Sequence, residues 1–285
     1  MLNISNKGRA LAKVKGGKYN GEILFLDTEE KCEDENECCC KCRICSIKCI
    51  KNPCCKKCKQ YTKNFIDYYE KYFVINDGIL LPLTKEHERS VDYISGPSGS
   101  GKSHYAADLA RSFQFMHPNK DIYIFSRTEP KNDPAFKKIN FIPIPIDDSI
   151  VTDPIDITRE LTRGCLVIFD DCNTIIDDKQ KKAVDNLMSD IMEVGRKLDI
   201  WIIITNHLVN PNEKKLGRTI MNEMQTFTFF PKSGSAHQIK YCLQKYFGLS
   251  NKQITAILNL PSRWVTIHKN FPLTVMYDKG AFLFN

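Results

Sequence analysis

From Ile79 onward, short β-branched runs alternate with longer amphipathic stretches. Runs of that length and composition predict strands at Val91–Ser95, Ile122–Ser126, Cys165–Asp170, Ile200–Thr205 and Thr226–Phe230. The amphipathic stretches predict helices over Ser103–Met116, Asp178–Leu198 and Glu213–Met224. Phe141–Ile146 is broken by prolines, which cannot donate to a ladder, so it suits an edge strand or a loop. Alternation of this kind predicts an α/β fold, a mainly parallel, doubly wound sheet covered on both faces. The tail reads as two short helices, about Ala236–Tyr246 and Ser250–Leu258. Small strands follow at Arg263–His268, Leu273–Tyr277 and Ala281–Phe284.

Before Ile79 the rhythm is different. Glu22–Leu26 reads as one strand, introduced by Gly16, Gly17 and Gly21. Residues 32–60 have almost no apolar periodicity and cannot build a core without cross-links or metal. Phe65, Tyr69 and Phe73 recur at i+4 spacing, as one helix face requires.

The first chemical signal lies between the first core strand and the first core helix. Gly96-Pro97-Ser98-Gly99-Ser100-Gly101-Lys102-Ser103 fits G-x-x-x-x-G-K-[ST] at every fixed position. An apolar strand leads in and a helix-forming run leads out, which is the context a phosphate-binding loop needs. Its glycines let the backbone curl so that successive N–H groups point inward. The following helix adds the positive end of its dipole. Lys102 brings a charge to the β- and γ-phosphates, and the Ser103 hydroxyl suits Mg²⁺. ATP and Mg²⁺ are the expected ligands.

A second signal is Leu166-Val167-Ile168-Phe169 running into Asp170-Asp171. Four apolar residues fit a strand buried on both faces. Carboxylates at its C-terminal end stand where doubly wound sheets bind ligands. Asp170 is the candidate to hold Mg²⁺ and Asp171 the candidate general base for an attacking water. Paired acids favour hydrolysis of the nucleotide over its use as a phosphate donor. Trp201-Ile202-Ile203-Ile204 ends in Thr205-Asn206-His207. In hydrolytic P-loop proteins this strand lies between the P-loop strand and the acidic one. Asn206 is then the first candidate to touch both γ-phosphate and water, with Thr205 second. Arg196 precedes a parallel strand, so it lies at the far end of the sheet from its own phosphates. It could serve a neighbouring subunit as an arginine finger or complement a helix dipole; Arg218 has similar options.

Composition refines the picture. The 285 residues carry a net charge of +7, unevenly spread. The N-terminal stretch is basic, Asp27–Glu37 is acidic, and 41–63 is basic without an acid. Such blocks are either solvated surface or a footprint for a polyanion such as DNA. No apolar run reaches the roughly 18 residues of a membrane span, and the N-terminus lacks the apolar region of a secretory signal. A reducing compartment and no integral membrane anchor are expected. Of thirteen cysteines, ten fall between Cys32 and Cys58. Cys42-x2-Cys45 and Cys55-x2-Cys58 are metal-style pairs, and an all-thiolate Zn²⁺ site is the first reading. Disulfides and an unstructured thiol-rich loop are the others. Cys165, Cys172 and Cys242 read as buried small hydrophobes.

The P-loop, Phe169-Asp170-Asp171 and the run from Gly195-Arg196-Lys197 through Thr205-Asn206-His207 resemble the HerA/FtsK superfamily of DNA-pumping ATPases. The likeness is strongest to the genome-packaging ATPases of poxviruses and other large DNA viruses. Ile75-Asn76-Asp77-Gly78, Phe125-Ser126-Arg127 and Asp133-Pro134 add to it, so it covers roughly residues 75–285. Asn206 stands where family members often carry glutamine, and the cysteine cluster lies outside the common core.

The resemblance implies ATP-driven translocation of double-stranded DNA into a capsid by a homo-oligomeric ring of five or six subunits. It also implies a capsid or inner-membrane virion protein as anchor, and a place in the host cytoplasm, at the viral factory, or in the virion. The implied layout is a basic segment and strand (1–31), a Cys-rich zinc-type insertion (32–60), an ATPase core (61–232) and a C-terminal α/β appendage (233–285). Two rivals stay open at this level: a nucleoside or nucleotide kinase, and a non-hydrolysing, nucleotide-dependent scaffold that binds DNA or capsid.

Overall fold

The computed structural model describes residues 2–4, 8–27, 72–84, 89–209, 214–270 and 272–284. The cysteine pairs Cys42/Cys45 and Cys55/Cys58, with Phe65 and Tyr69, lie outside these residues.

The strands are β1 (Leu2–Asn3), β2 (Arg9–Lys15), β3 (Ile23–Leu26), β4 (Tyr72–Val74), β5 (Ile79–Pro82) and β6 (Val91–Ser95). There follow β7 (Ile122–Ser126), β8 (Ile142–Pro145), β9 (Leu166–Asp170), β10 (Trp201–Asn206) and β11 (Thr226–Phe229). The last are β12 (Val265–His268), β13 (Leu273–Tyr277) and β14 (Gly280–Phe284). The helices are α1 (Lys102–Met116), α2 (Ser149–Thr152), α3 (Asp178–Glu193), α4 (Lys214–Glu223), α5 (Ala236–Phe247) and α6 (Asn251–Leu258).

Ten strands form one sheet in the order β4-β14-β13-β12-β11-β6-β10-β9-β7-β8. The run from β11 to β8 is parallel throughout. The other four strands are added antiparallel. A second sheet, β1-β3-β2-β5, is antiparallel.

The central strands are buried along their whole length because alternate residues face two different cores. On β9, Leu166 and Ile168 pack with Tyr105, Ala106 and Phe113 of α1. Val167 and Phe169 face the opposite way, toward Val184, Leu187 and Ile191 of α3. β10 divides in the same manner, with Trp201 and Ile203 in the first core and Ile202 and Ile204 in the second. Burying each such side chain contributes about 1.5–3 kcal/mol. The four-stranded sheet has its own core, in which Leu11, Val14, Leu24 and Leu80 meet Met276 and Leu283 of the main sheet.

The structure departs from the sequence reading at several elements. The helix expected over Asp178–Leu198 starts where anticipated, because the Asp177 side chain accepts hydrogen bonds from Lys179 N and Gln180 N. It ends early, at Glu193, and Gly195–Leu198 forms a 3₁₀ turn instead. The cause is Arg89. Its guanidinium donates to the carbonyls of Ile191 and Met192, satisfying helix-end acceptors, and to that of Ile200, where the chain enters β10. Phe73, expected on a helix face, lies in the edge strand β4 opposite Ala281, where pairing with β14 overrides the spacing. The proline-broken run does form a strand, β8, at the outer edge beside β7. The tail strands, read as part of a small appendage, continue the main sheet through β12 on β11. Cys165, Cys172 and Cys242 are free and buried, as expected of small hydrophobes. Among the described residues no helix is long and apolar enough to cross a membrane.

Candidate functional site

Parallel strands bring their C-terminal ends to one edge, and β10 lies between β6 and β9. Ser95, Asn206 and Asp170 therefore arrive side by side, with the glycine-rich loop opening directly from β6. That loop runs through Gly96–Gly101 into the first turn of α1. Gly99 and Gly101 take φ of +74° and +110°, which L side chains rarely adopt. Ser100 N donates to Pro97 O at 3.2 Å and Gly96 N to Asn206 O at 3.0 Å, so the loop is tied to itself and to β10. Ser100 is buried, whereas Ser98 and Gly99 are exposed at its tip and Pro97 is half-buried.

Lys102 is only 4% exposed although it is charged. Its ammonium lies 3.4 Å from Pro97 O and 3.5 Å from Asp171 Oδ1. The Ser103 hydroxyl stands 3.4 Å from Asp170 Oδ1. Thr205 joins the two acids: its hydroxyl is 2.9 Å from Asp170 Oδ1 and 3.2 Å from Asp171 Oδ1, and it accepts from Asp171 N at 2.9 Å. Asp171 adopts left-handed backbone, φ +48°, a conformation that costs a non-glycine residue about 1–2 kcal/mol. In that conformation its other carboxylate oxygen is 3.1 Å from His207 Nε2.

Burial pushes the Asp170 carboxyl up to about 6; neighbouring Asp171 and Asp133 add to the rise, while the Thr205 hydrogen bond and Lys102 oppose it. Such a group is neutralised either by a proton or by a cation. With the Ser103 hydroxyl beside it, the donor set fits Mg²⁺, which takes one or two carboxylates and leaves its other positions to water and phosphate oxygens.

Asn206, the first sequence candidate at the β10 tip, turns its carbonyl onto Leu208 N at 3.0 Å. Thr205, the second, is the residue that touches both acids. Strand alternation puts them on opposite faces, Thr205 with Trp201 and Ile203 and Asn206 with Ile202 and Ile204; that α1 and its loop cover the first of these faces is a tertiary choice. Arg196 sits in the 3₁₀ turn before β10, exposed, at the opposite end of the sheet from the loop. Arg218 is exposed on α4. One neighbour of the loop had no sequence signal: Arg263, just before β12, donates to Ser100 O at 2.9 Å and to Gly99 O at 3.3 Å. Among the described residues no group of three or more His, Cys, Asp and Glu is placed to hold a metal ion, so the zinc reading falls wholly on the undescribed segment.

Fold and loop together define the class: a mixed α/β protein with a large, mostly parallel sheet and a P-loop between β6 and α1. No family model matches the chain. It is 35% identical over 280 residues to uncharacterized protein V3 of Sputnik virophage, across 98% of this chain and 97% of that protein. The chain belongs to the family of that virophage protein. Among solved structures it is similar to B204, the DNA-packaging ATPase from Sulfolobus Turreted Icosahedral Virus, at 13% identity and TM-score 0.44, over 67% of this chain and 98% of that one. It is also similar to EssC (ATPases 2 and 3) from Geobacillus thermodenitrificans, at 14% identity and TM-score 0.43, over 75% of this chain and 44% of that one.

Proposed function

We propose that this protein is an ATP-hydrolysing motor that translocates double-stranded DNA, loading a viral genome into its capsid. The observation that carries the hydrolytic part is the setting of Asp171, 3.5 Å from the phosphate-loop lysine and bracketed by Thr205 and His207. The motif resemblance supports the DNA part, and kinship with a virophage protein supports the viral setting.

In this reading the loop N–H groups not already bonded within the protein, with the start of α1, bind the phosphates of ATP, and Lys102 neutralises their charge. Ser103 and Asp170 would hold Mg²⁺, which when bound would supply positive charge against the negative charge of the phosphates. Asp171 takes the proton of a water whose oxygen attacks the γ-phosphorus, and the bond to the β–γ bridging oxygen breaks to release ADP. Thr205 orients Asp171 and Asp170 together, and His207 holds the remaining oxygen of Asp171. Arg196, remote from its own loop, would complete the site of a neighbour in a ring of five or six copies. A capsid or inner-membrane virion protein would anchor the ring at the site of virion assembly. The segment from Cys32 to Cys58, with zinc bound by Cys42, Cys45, Cys55 and Cys58, would add a basic contact for DNA.

The test is ATP turnover with and without duplex DNA across a salt series. A DNA-stimulated rate that falls with salt supports the motor. Phosphate esters formed on added nucleosides would point to a kinase. Nucleotide binding without hydrolysis, with DNA present, would point to a scaffold.

A further inference from the structure

We infer that Arg263 is a positioning residue for the phosphate loop, so that the nucleotide site includes the end of the chain as well as its middle. The inference rests on nucleotide binding at Gly96–Ser103.

A phosphate loop works only if its N–H groups face the ligand. A trans peptide is planar, with its C=O and N–H pointing in opposite directions. Whatever holds the carbonyl on one side therefore aims the N–H to the other. The Arg263 guanidinium accepts no bonds and only donates. Its Nε donates to Ser100 O at 2.9 Å and its Nη2 to Gly99 O at 3.3 Å. The first of these peptides ends in the N–H of Gly101, which is thereby turned away from Arg263. The second ends in the N–H of Ser100, which closes the turn onto Pro97 O. Two successive peptide planes are thus oriented by one planar, charged fork. The guanidinium also lies where a Cβ on Gly101 would meet it, 3.3–3.5 Å away, so it packs on the loop as well as bonding to it.

Topology explains how a residue so distant in sequence arrives here. β12 runs antiparallel to β11, with Val265 opposite Phe229, and Phe229 is opposite Ser95 at the end of β6. An antiparallel strand begins at the edge where its parallel neighbours finish. Residues just before β12 are therefore delivered to the loop. They are braced there. The Ser262 hydroxyl donates to Trp264 O at 2.6 Å, and the Trp264 ring meets Tyr105 of α1 edge-on at 5.0 Å. The Tyr105 hydroxyl in turn pairs with Thr266 of β12 at 2.5 Å. Arg263 thus approaches the loop from a platform that is fixed to the same helix the loop feeds.

The experiment uses the full chain and three readouts: MgATP and MgADP affinity, the KM and kcat of ATP hydrolysis, and melting temperature without nucleotide. Arg263→Ala should weaken both nucleotides about tenfold and raise KM, while kcat falls by less than about threefold. Arg263→Lys, which keeps the charge and one donor, should recover part of that loss. Melting of Arg263→Ala without nucleotide should stay within about 4 °C of wild type, because an exposed side chain contributes little to the core. Unchanged affinity in the folded fraction of Arg263→Ala overturns the inference, whatever the melting temperature does. A loss confined to kcat overturns it too. If wild type binds no nucleotide, and Lys102→Ala is no different, the nucleotide reading itself has failed.

Discussion

Asp170 is an acid set in a place that disfavours its charge. Burial holds its carboxyl near 6, against an ordinary 3.8. Between those values the folded protein keeps a proton that the unfolded chain has lost. The contribution of this group to stability is therefore fully present below about pH 4, is lost as pH rises through about 6, and stays absent above. The difference is on the order of 2–3 kcal/mol. Asp170→Asn carries no charge, so with chelator present it should melt several degrees above wild type at pH 7.5. The gap should close toward pH 4, and thermal melts across that range check this. Asp171 has another role and another expected outcome. Asp171→Asn should cut kcat about 10²–10⁴-fold, with ATP affinity equal or tighter, since Lys102 loses a competing carboxylate. Single-turnover hydrolysis beside equilibrium binding separates the two effects. Thr205→Val removes the hydroxyl bonded to both acids and leaves β10 apolar and β-branched. It should lower kcat about tenfold or more with little change in fold, a split that circular dichroism and turnover together will reveal.

At the scale of elements, the junction of α3 and β10 controls where the third strand starts, and hence where Thr205 stands. Arg89 caps that junction on three carbonyls, and burial lowers its pKa despite the help of Glu223. Arg89→Met keeps much of the stem but leaves the acceptors without those donors. It should destabilise by about 2 kcal/mol, seen as a lower urea midpoint at unchanged slope. Strand periodicity was legible where a strand is buried on both faces: β6, β7 and β13 run over the residues expected of them. Helix ends were less so, because the end of α3 is decided by an arginine about a hundred positions away. β1 and β4 left little trace because they are only two and three residues long; β2 is interrupted by charges and β5 ends in proline, and all four are held by pairing rather than by propensity.

For the whole molecule, the separation of Arg196 from its own loop is the main fact. A residue exposed at one end of the sheet cannot serve phosphates at the other, so any part in hydrolysis requires a second copy. Mixing Arg196→Ala with wild type should then lower turnover out of proportion to the fraction added. Specific activity should also rise with protein concentration until assembly is complete. Turnover independent of both would leave Arg196 as a charge complementing the end of α3. Kinship with the virophage protein spans nearly the full length, so the tail that supplies Arg263 lies within the shared region.

The sequence by itself determined the phosphate loop, the acidic strand end and the parallel character of the central sheet. Each is written locally: a loop of fixed spacing, an apolar run ending in two acids, strands alternating with helices. Which residue at the β10 tip touches those acids was decided by which face of the sheet α1 covers: Thr205 lies on that face with Trp201 and Ile203, while Asn206, on the other, accepts from Leu208 N. That the tail completes the loop's surroundings was decided by an antiparallel pairing between residues far apart in the chain. Local spacing cannot encode such a pairing, because it depends on which strands meet once both faces of the sheet are covered.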